Sequence, residues 1–183
     1  MDESARRGRI LVGLAREAIL AGDAFPRAMA REWHEEWLRA TGASFVTLRD
    51  AGELRGCIGT VDAHRALGDD VAHNAYAAAY RDTRFPPLTP AVRDRLEVEV
   101  SVLSERAPVA AASEEALARA LRPGIDGVVL EYGELRATFL PQVWESLPDP
   151  VDFLAELRRK ARLPERFWHP QLKVSRYTVE KYR

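Results

Sequence analysis

Residues 54–60, Leu54-Arg55-Gly56-Cys57-Ile58-Gly59-Thr60, set the only cysteine of the sequence between two glycines and two places from an arginine. On an extended strand, side chains two apart share a face, so Arg55 and Cys57 point one way and Leu54, Ile58 and Thr60 the other. A guanidinium beside a thiol favours the thiolate, the form that acts as nucleophile. Gly56 and Gly59 remove side chains on either side of the sulfur, so a ligand or another backbone can come close. Such a stretch suits a thiol nucleophile or a tight anion pocket. A free cysteine is equally a small residue that packs well in a core, and the glycines would then only relieve contact with a helix. Both readings stand at this point.

Asp82 is the second unusual placement. It continues the stripe of Ala75 and Ala78 at the next helical turn, and it falls near a helix C-terminus, where the dipole disfavours an anion. An inward carboxylate there needs a partner, either Arg84 or Arg55; the alternative is an exposed residue that ends the helix. Arg84-Phe85-Pro86 offers a cation and an aromatic ring on a stiff loop, where the charged and flat parts of a ligand can rest. Glu99 and Ser101 share one strand face, which is either solvated or lines a cleft. Gln142, in Leu140-Pro141-Gln142-Val143-Trp144, has an amide that can bond a ligand or cap a turn.

Other chemistries find little support. The four histidines (His34, His64, His73, His169) form no His-x-x-x-His pair and stand next to no carboxylate at ligand spacing, so no metal is expected. One cysteine excludes an internal disulfide and any multi-cysteine cluster. Neither a Walker A loop, a G-x-G-x-x-G turn nor a G-x-S-x-G elbow is present, and no cofactor is expected. If Cys57 is a nucleophile, the spacing identifies no base; His64 or His73 would have to be brought to it by the fold. A formal net charge of -1 argues against whole-molecule attraction to nucleic acid or anionic lipid. No window approaches the roughly 20 apolar residues of a membrane span. The charged start and the lone thiol point to the cytoplasm.

The elements that must position these residues are read from periodicity. Leu11, Leu14, Ala15 and Ala18 mark a helix stopped at Gly22-Asp23, and Met29, Trp33 and Trp37 mark a second one ending at Thr41-Gly42. Residues 44–49 and 54–60 alternate as a hairpin about Asp50-Ala51-Gly52-Glu53. Leu67, Val71, Ala75, Ala78 and Ala79 form the clearest helical stripe, with Asp69 and Asp70 in its first turns. Leu96 to Leu103 alternates as a strand. A short helix opens at Ser113 and closes at Pro123-Gly124. Residues 127–131 and 135–139 form a second hairpin that echoes the first, Val128-Val129-Leu130 with Gly133-Glu134-Leu135-Arg136 answering Val46-Thr47-Leu48 with Gly52-Glu53-Leu54-Arg55. An amphipathic helix over 151–162 and a strand over 172–179 complete the chain. Hairpins and mixed order predict an α+β fold with a mainly antiparallel sheet and flanking helices, in one domain over 1–183 without a separable linker.

Phe45-Val46-Thr47-Leu48 followed by Gly52-Glu53-Leu54-Arg55-Gly56-Cys57-Ile58-Gly59-Thr60 resembles the signature of the AMMECR-type family, AmmeMemoRadiSam system protein A. The likeness continues in order. Asp82-Thr83-Arg84-Phe85 resembles the family's Asp-Pro-Arg-Phe loop and Glu99-Val100-Ser101-Val102-Leu103 its Glu-x-Ser-x-Leu strand. Leu140-Pro141-Gln142-Val143, Phe153-Leu154 and Lys160-Ala161 with Leu163-Pro164 and Trp168 follow. Two positions depart: Thr83 stands where the family has Pro, and Arg162 where it has Gly, which puts a tight left-handed turn there in question.

The resemblance implies a larger and a smaller lobe, with Leu54-Arg55-Gly56-Cys57-Ile58-Gly59 at a cleft between them. It also implies a link with a Memo-like protein and a radical S-adenosylmethionine enzyme. It implies no particular reaction. Two readings follow. In the first, the chain is an enzyme or a substrate-handling component for a small molecule or nucleobase. Cys57 is its nucleophile, Arg55 and Arg84 hold an anionic or carbonyl group, and Asp82 orients an arginine. Gly56, Gly59, Phe85, Glu99, Ser101 and Gln142 line the site. In the second, the chain is a non-catalytic adaptor that docks a protein partner, with Cys57 merely packed. RNA binding is a third, weaker reading.

Overall fold

Alternation along residues 41–50 and 97–103 places Val46, Leu48, Val98 and Val100 on one side of a sheet, and all four are buried. The computed structural model describes residues 2–25 and 32–183. The chain divides into two compact units, Met1–Leu103 with Glu180–Arg183, and Ser104–Val179. Two antiparallel sheets and, among the described residues, six α-helices make this an α+β protein.

In the first unit the strands are β1 (Thr41–Asp50), β2 (Glu53–Gly59), β3 (Arg65–Ala66), β4 (Glu97–Leu103) and β9 (Val179–Tyr182). They run in the order β2-β1-β4-β9, with β3 paired to the start of β1. Helices α1 (Glu3–Ala21) and α3 (Leu67–Tyr80) cover one face. Leu11, Leu14, Ala15 and Ala18 of α1 and Val71, Ala75 and Ala78 of α3 share one core with Val46, Leu48, Val98 and Val100. Each fully buried Val or Leu side chain contributes about 1.5–3 kcal/mol, so this core dominates the stability of the unit. The opposite face, carrying Phe45, Thr47, Arg49, Cys57, Glu97 and Glu99, is polar.

The expected second helix takes another form. Met29 lies outside the described residues, Trp33 sits in irregular chain, and α2 covers only Glu36–Arg39. Trp33 is spaced like a helical core residue yet buries itself from a loop. Its indole lies over Gly68, where a Cβ would stand 2.4 Å from the ring, and its Nε1–H donates to Asp69 at 2.9 Å. A four-residue helix, α4 (Pro90–Arg93), precedes β4. No helix among the described residues is long and apolar enough to cross a membrane.

The second unit holds β5 (Ala107–Pro108), β6 (Gly127–Tyr132), β7 (Leu135–Phe139) and β8 (Lys173–Tyr177) in the order β5-β8-β6-β7. Helices α5 (Glu114–Ala120) and α6 (Pro150–Lys160) share their core with this sheet, and Trp144 stacks on Phe153 with ring centroids 3.7 Å apart. The single terminal strand expected over 172–179 is two strands that separate at Thr178 and join different sheets. The two hairpins agree less than their sequences suggest. Both have two-residue turns, but Ala51 and Gly52 take positive φ in the first, whereas only Gly133 does in the second. A bulge breaks the first ladder alone.

Candidate functional site

β2 is an edge strand, so the backbone groups on its outer side need partners from elsewhere. At Cys57 they find Asp82 and Arg84. Asp82 Oδ2 accepts the Cys57 N–H at 2.9 Å, and Arg84 Nη2 donates to the Cys57 carbonyl at 3.0 Å. The two side chains are joined in a bidentate pair: Arg84 Nε to Asp82 Oδ1 at 2.9 Å and Nη2 to Oδ2 at 2.7 Å. Oδ1 also accepts the Arg84 backbone N–H at 3.2 Å, and the Phe85 N–H closes the turn onto the Asp82 carbonyl at 3.1 Å. An ion pair thus occupies the place where a further strand would dock.

Asp82 is buried, the inward one of the two placements that the sequence leaves open, and its partner is Arg84 rather than Arg55. The Arg84 guanidinium, followed by the two backbone N–H donors, holds the Asp82 carboxyl well below the usual carboxylate range despite burial. The same contact raises Arg84 further. Arg84 Nη1 is left over from these bonds, the guanidinium carbon lies 5.4 Å from the Phe85 ring centre, and the side chain is 57% exposed.

The Cys57 thiol is half-buried on the polar face of the sheet. Its Sγ lies 3.5 Å from Thr47 Oγ1, its register partner on β1, and Thr47 is in turn the register partner of Glu99 on β4. Cys57, Thr47 and Glu99 therefore form one transverse row across three strands. Glu99 Oε2 accepts from Arg183 Nε and Nη2, each at 2.6 Å. Arg55 is the extra residue of the bulge: Gly56 pairs with Leu48 and Leu54 with Arg49. Bulges re-aim side chains. Here the Arg55 Nε is buried with no hydrogen-bond partner among the described residues.

Other expected site residues fall differently. A Cβ on Gly56 would meet the Ala78 carbonyl oxygen at 2.1 Å, and one on Gly59 the Phe45 ring at 2.1 Å. The space freed by both glycines is taken by the protein itself, the Ala78 backbone at Gly56 and the Phe45 ring at Gly59. Ser101 is buried opposite Phe45, so its face of β4 is not uniformly solvated. Gln142 belongs to the second unit, exposed on the turn Pro141–Glu145. His64 Nδ1 is bonded to the Asp62 carbonyl oxygen at 2.8 Å and His73 stands beside Phe25; neither is bonded to Cys57.

A polar cluster escaped the sequence reading. Asp70, fully buried in α3, accepts from Ser44 N–H at 2.8 Å, Ser44 Oγ at 2.7 Å and Asn74 Nδ2 at 2.9 Å, and Arg65 Nε approaches its other oxygen at 3.2 Å. Asn74 also donates to the Ser44 carbonyl at 3.0 Å. Asp70 lies beside Val71 on the helix and reads as a dipole partner. The available signal was its i, i+4 spacing to Asn74, which puts two polar residues one turn apart.

The match to known proteins covers the same landmarks. The AMMECR1 family matches residues 12–182. The chain belongs to the AMMECR1 family. An AMMECR1 relative from Thermofilum pendens is 37% identical, covering 97% of this chain and 89% of its own. One from Methanothermobacter thermautotrophicus is 36% identical, with 97% and 94% covered. The crystal structure of an uncharacterized protein from Pyrococcus horikoshii superposes with a TM-score of 0.77 at 33% identity, over 99% of this chain and 91% of that one.

Proposed function

We propose that this AMMECR1-family chain carries a thiol site on the polar face of its first unit and works as an enzyme or as the substrate-handling component of one. Cys57 is the reacting or ligand-contacting group. Arg55 and Arg84 hold an anionic or carbonyl group of a small molecule or nucleobase, and Asp82 orients Arg84. A cytoplasmic setting and action beside a Memo-like protein and a radical S-adenosylmethionine enzyme, as in the AmmeMemoRadiSam grouping, belong to the same reading. The observation that carries it is the fixing of Cys57 through both backbone groups by Asp82 and Arg84 while the residue, its thiol beside Thr47, stays only half-buried. Fixed position and access are what a nucleophile needs.

One observation favours the second reading, a non-catalytic module that docks a protein partner. Gly56 and Gly59 are consumed by internal packing, and the Asp82–Arg84 pair also does what edge protection alone would require. Iodoacetamide alkylation with mass spectrometry separates the two, because the sequence holds a single cysteine. A native protein alkylated at pH 7 at least as fast as the urea-unfolded chain supports the thiol site. Protection until unfolding would leave Cys57 as packing and the module as the better reading.

A further inference from the structure

Two carboxylates of the first sheet are held by arginines, Asp50 at the end of β1 and Glu99 on the polar face of β4. Asp50 is bound by Arg95 at 2.7 Å through both oxygens, and Glu99 by Arg183 at 2.6 Å. On the same face as Glu99, Arg49 and Glu97 are direct register partners on β1 and β4, the geometry in which cross-strand ion pairs ordinarily form. They do not pair. Arg49 turns its Nη1 to the Gly52 carbonyl at 3.3 Å, and Glu97 has no hydrogen bond or ion pair among the described residues. Both line a groove of about 450 Å³ together with Thr47, Glu99, Arg183 and Arg16, the last donating to the Leu96 carbonyl at 3.0 Å.

We infer that this groove binds a small zwitterion of dipeptide size, with its carboxylate at Arg49 and Arg16 and its ammonium at Glu97. A simple anion would meet the carboxylates of Glu97 and Glu99, and a simple cation would meet the arginines. A ligand carrying both charges satisfies the open row on each side. The volume falls within the range of about 300–1,000 Å³ usual for small-molecule sites. Thr47 lines the groove and also touches the Cys57 sulfur, so the ligand would lie beside the thiol. The inference rests on the reading of Cys57 as the reacting or contacting group, and it names the class of substrate that the group would meet.

Glycylglycine, N-acetylglycylglycine (no ammonium) and glycylglycinamide (no carboxylate) are titrated into the full chain and followed by NMR shift changes. Saturable binding of glycylglycine at least tenfold tighter than of either singly charged analogue is expected. Glu97→Gln should abolish the preference over the acetylated analogue, and Arg49→Gln the preference over the amide; both side chains are exposed and their loss leaves the core intact. Equal affinities for the three compounds, or no saturation at millimolar concentrations, would overturn the inference. Repeating the titration on Cys57→Ala separates the two claims. Binding retained there beside an unreactive native thiol upholds the groove and sinks the thiol site. A reactive thiol with no glycylglycine binding does the reverse.

Discussion

Asp82 reaches Cys57 through the backbone and not through the thiol, its Oδ2 accepting the Cys57 N–H at 2.9 Å. Twenty-five residues separate the two, and the contact ties the end of helix α3 to the free edge of β2. Arg84 completes the link at the Cys57 carbonyl. Any displacement of the Asp82–Arg84 turn therefore moves the strand that carries the sulfur.

Asp82→Asn should remove the charge while keeping the shape. Hydrogen bonds to a charged group contribute about 1.5–3 kcal/mol, reduced here because the Arg84 side chain faces solvent, so a loss of about 1–2 kcal/mol is expected at pH 7. The sign with pH follows from the lowered Asp82 value. Its stabilisation is complete above the unfolded carboxylate value of about 3.9 and is lost as pH falls towards the folded one. Urea midpoints of the two proteins should lie furthest apart at pH 7 and draw steadily closer as pH falls below about 4. A constant gap would mean that the charge contributes nothing.

Gly56→Ala tests whether that glycine serves packing or a ligand. The added Cβ would stand 2.1 Å from the Ala78 carbonyl oxygen, a backbone atom that cannot swing aside. Helix α3 or strand β2 must shift, at a cost on the order of 1–3 kcal/mol or more. A lower thermal midpoint with loosened hydrogen-exchange protection of both elements is expected. Unchanged stability would return Gly56 to the list of ligand-facing positions.

These contrasts show what the sequence can and cannot convey. Elements with one clean period, such as β1, β4 and α3, are legible because a buried face writes its own spacing. Trp33 is not, since a large ring packed from a loop is spaced like a helix residue until Gly68 is known to lie beneath it. At the site, the common face of Arg55 and Cys57 is suggested by alternation, but the bulge that sets Arg55 apart depends on strand register, which no local pattern fixes. Thr47 stands in the Phe45-Val46-Thr47-Leu48 motif, yet only the pairing of β1 with β2 places its hydroxyl at the sulfur. Arg49 and Glu97 are similarly invisible as a pair, being 48 residues apart and neighbours only across β1 and β4.

Asp70→Ala should be the most damaging of the polar changes. The carboxylate is fully buried and collects Ser44 N–H, Ser44 Oγ and Asn74 Nδ2, with Arg65 beside it. Removing it leaves those donors without their acceptor and opens a void, each effect being worth about 1–3 kcal/mol. A combined loss of roughly 3–5 kcal/mol is expected, read as a fall in the urea midpoint at constant m-value. Asp70→Asn should fall between, since one oxygen survives as acceptor.

Arg162→Gly should stabilise the protein. Helix α6 ends with Arg162 at φ 62°, the left-handed region. Its N–H bonds the Arg159 carbonyl and that of Leu163 bonds the Arg158 carbonyl, at 3.0 and 2.9 Å. That pair of bonds is the Schellman arrangement, which glycine fills without a Cβ penalty. The turn therefore forms despite the arginine, and the arginine pays for it, at about 1–2 kcal/mol of strain for an L-residue. Glycine costs the unfolded chain more entropy, roughly 0.5–1 kcal/mol, so the net gain should be about 0.5–1 kcal/mol. Arg162 is exposed and makes no ion pair among the described residues, so nothing offsets that gain. For a chain of this size the thermal midpoint should rise by about 1–4 °C, while alkylation of Cys57, in the other unit, stays unchanged. A fall in the midpoint would show that the arginine side chain contributes more than the strain it imposes.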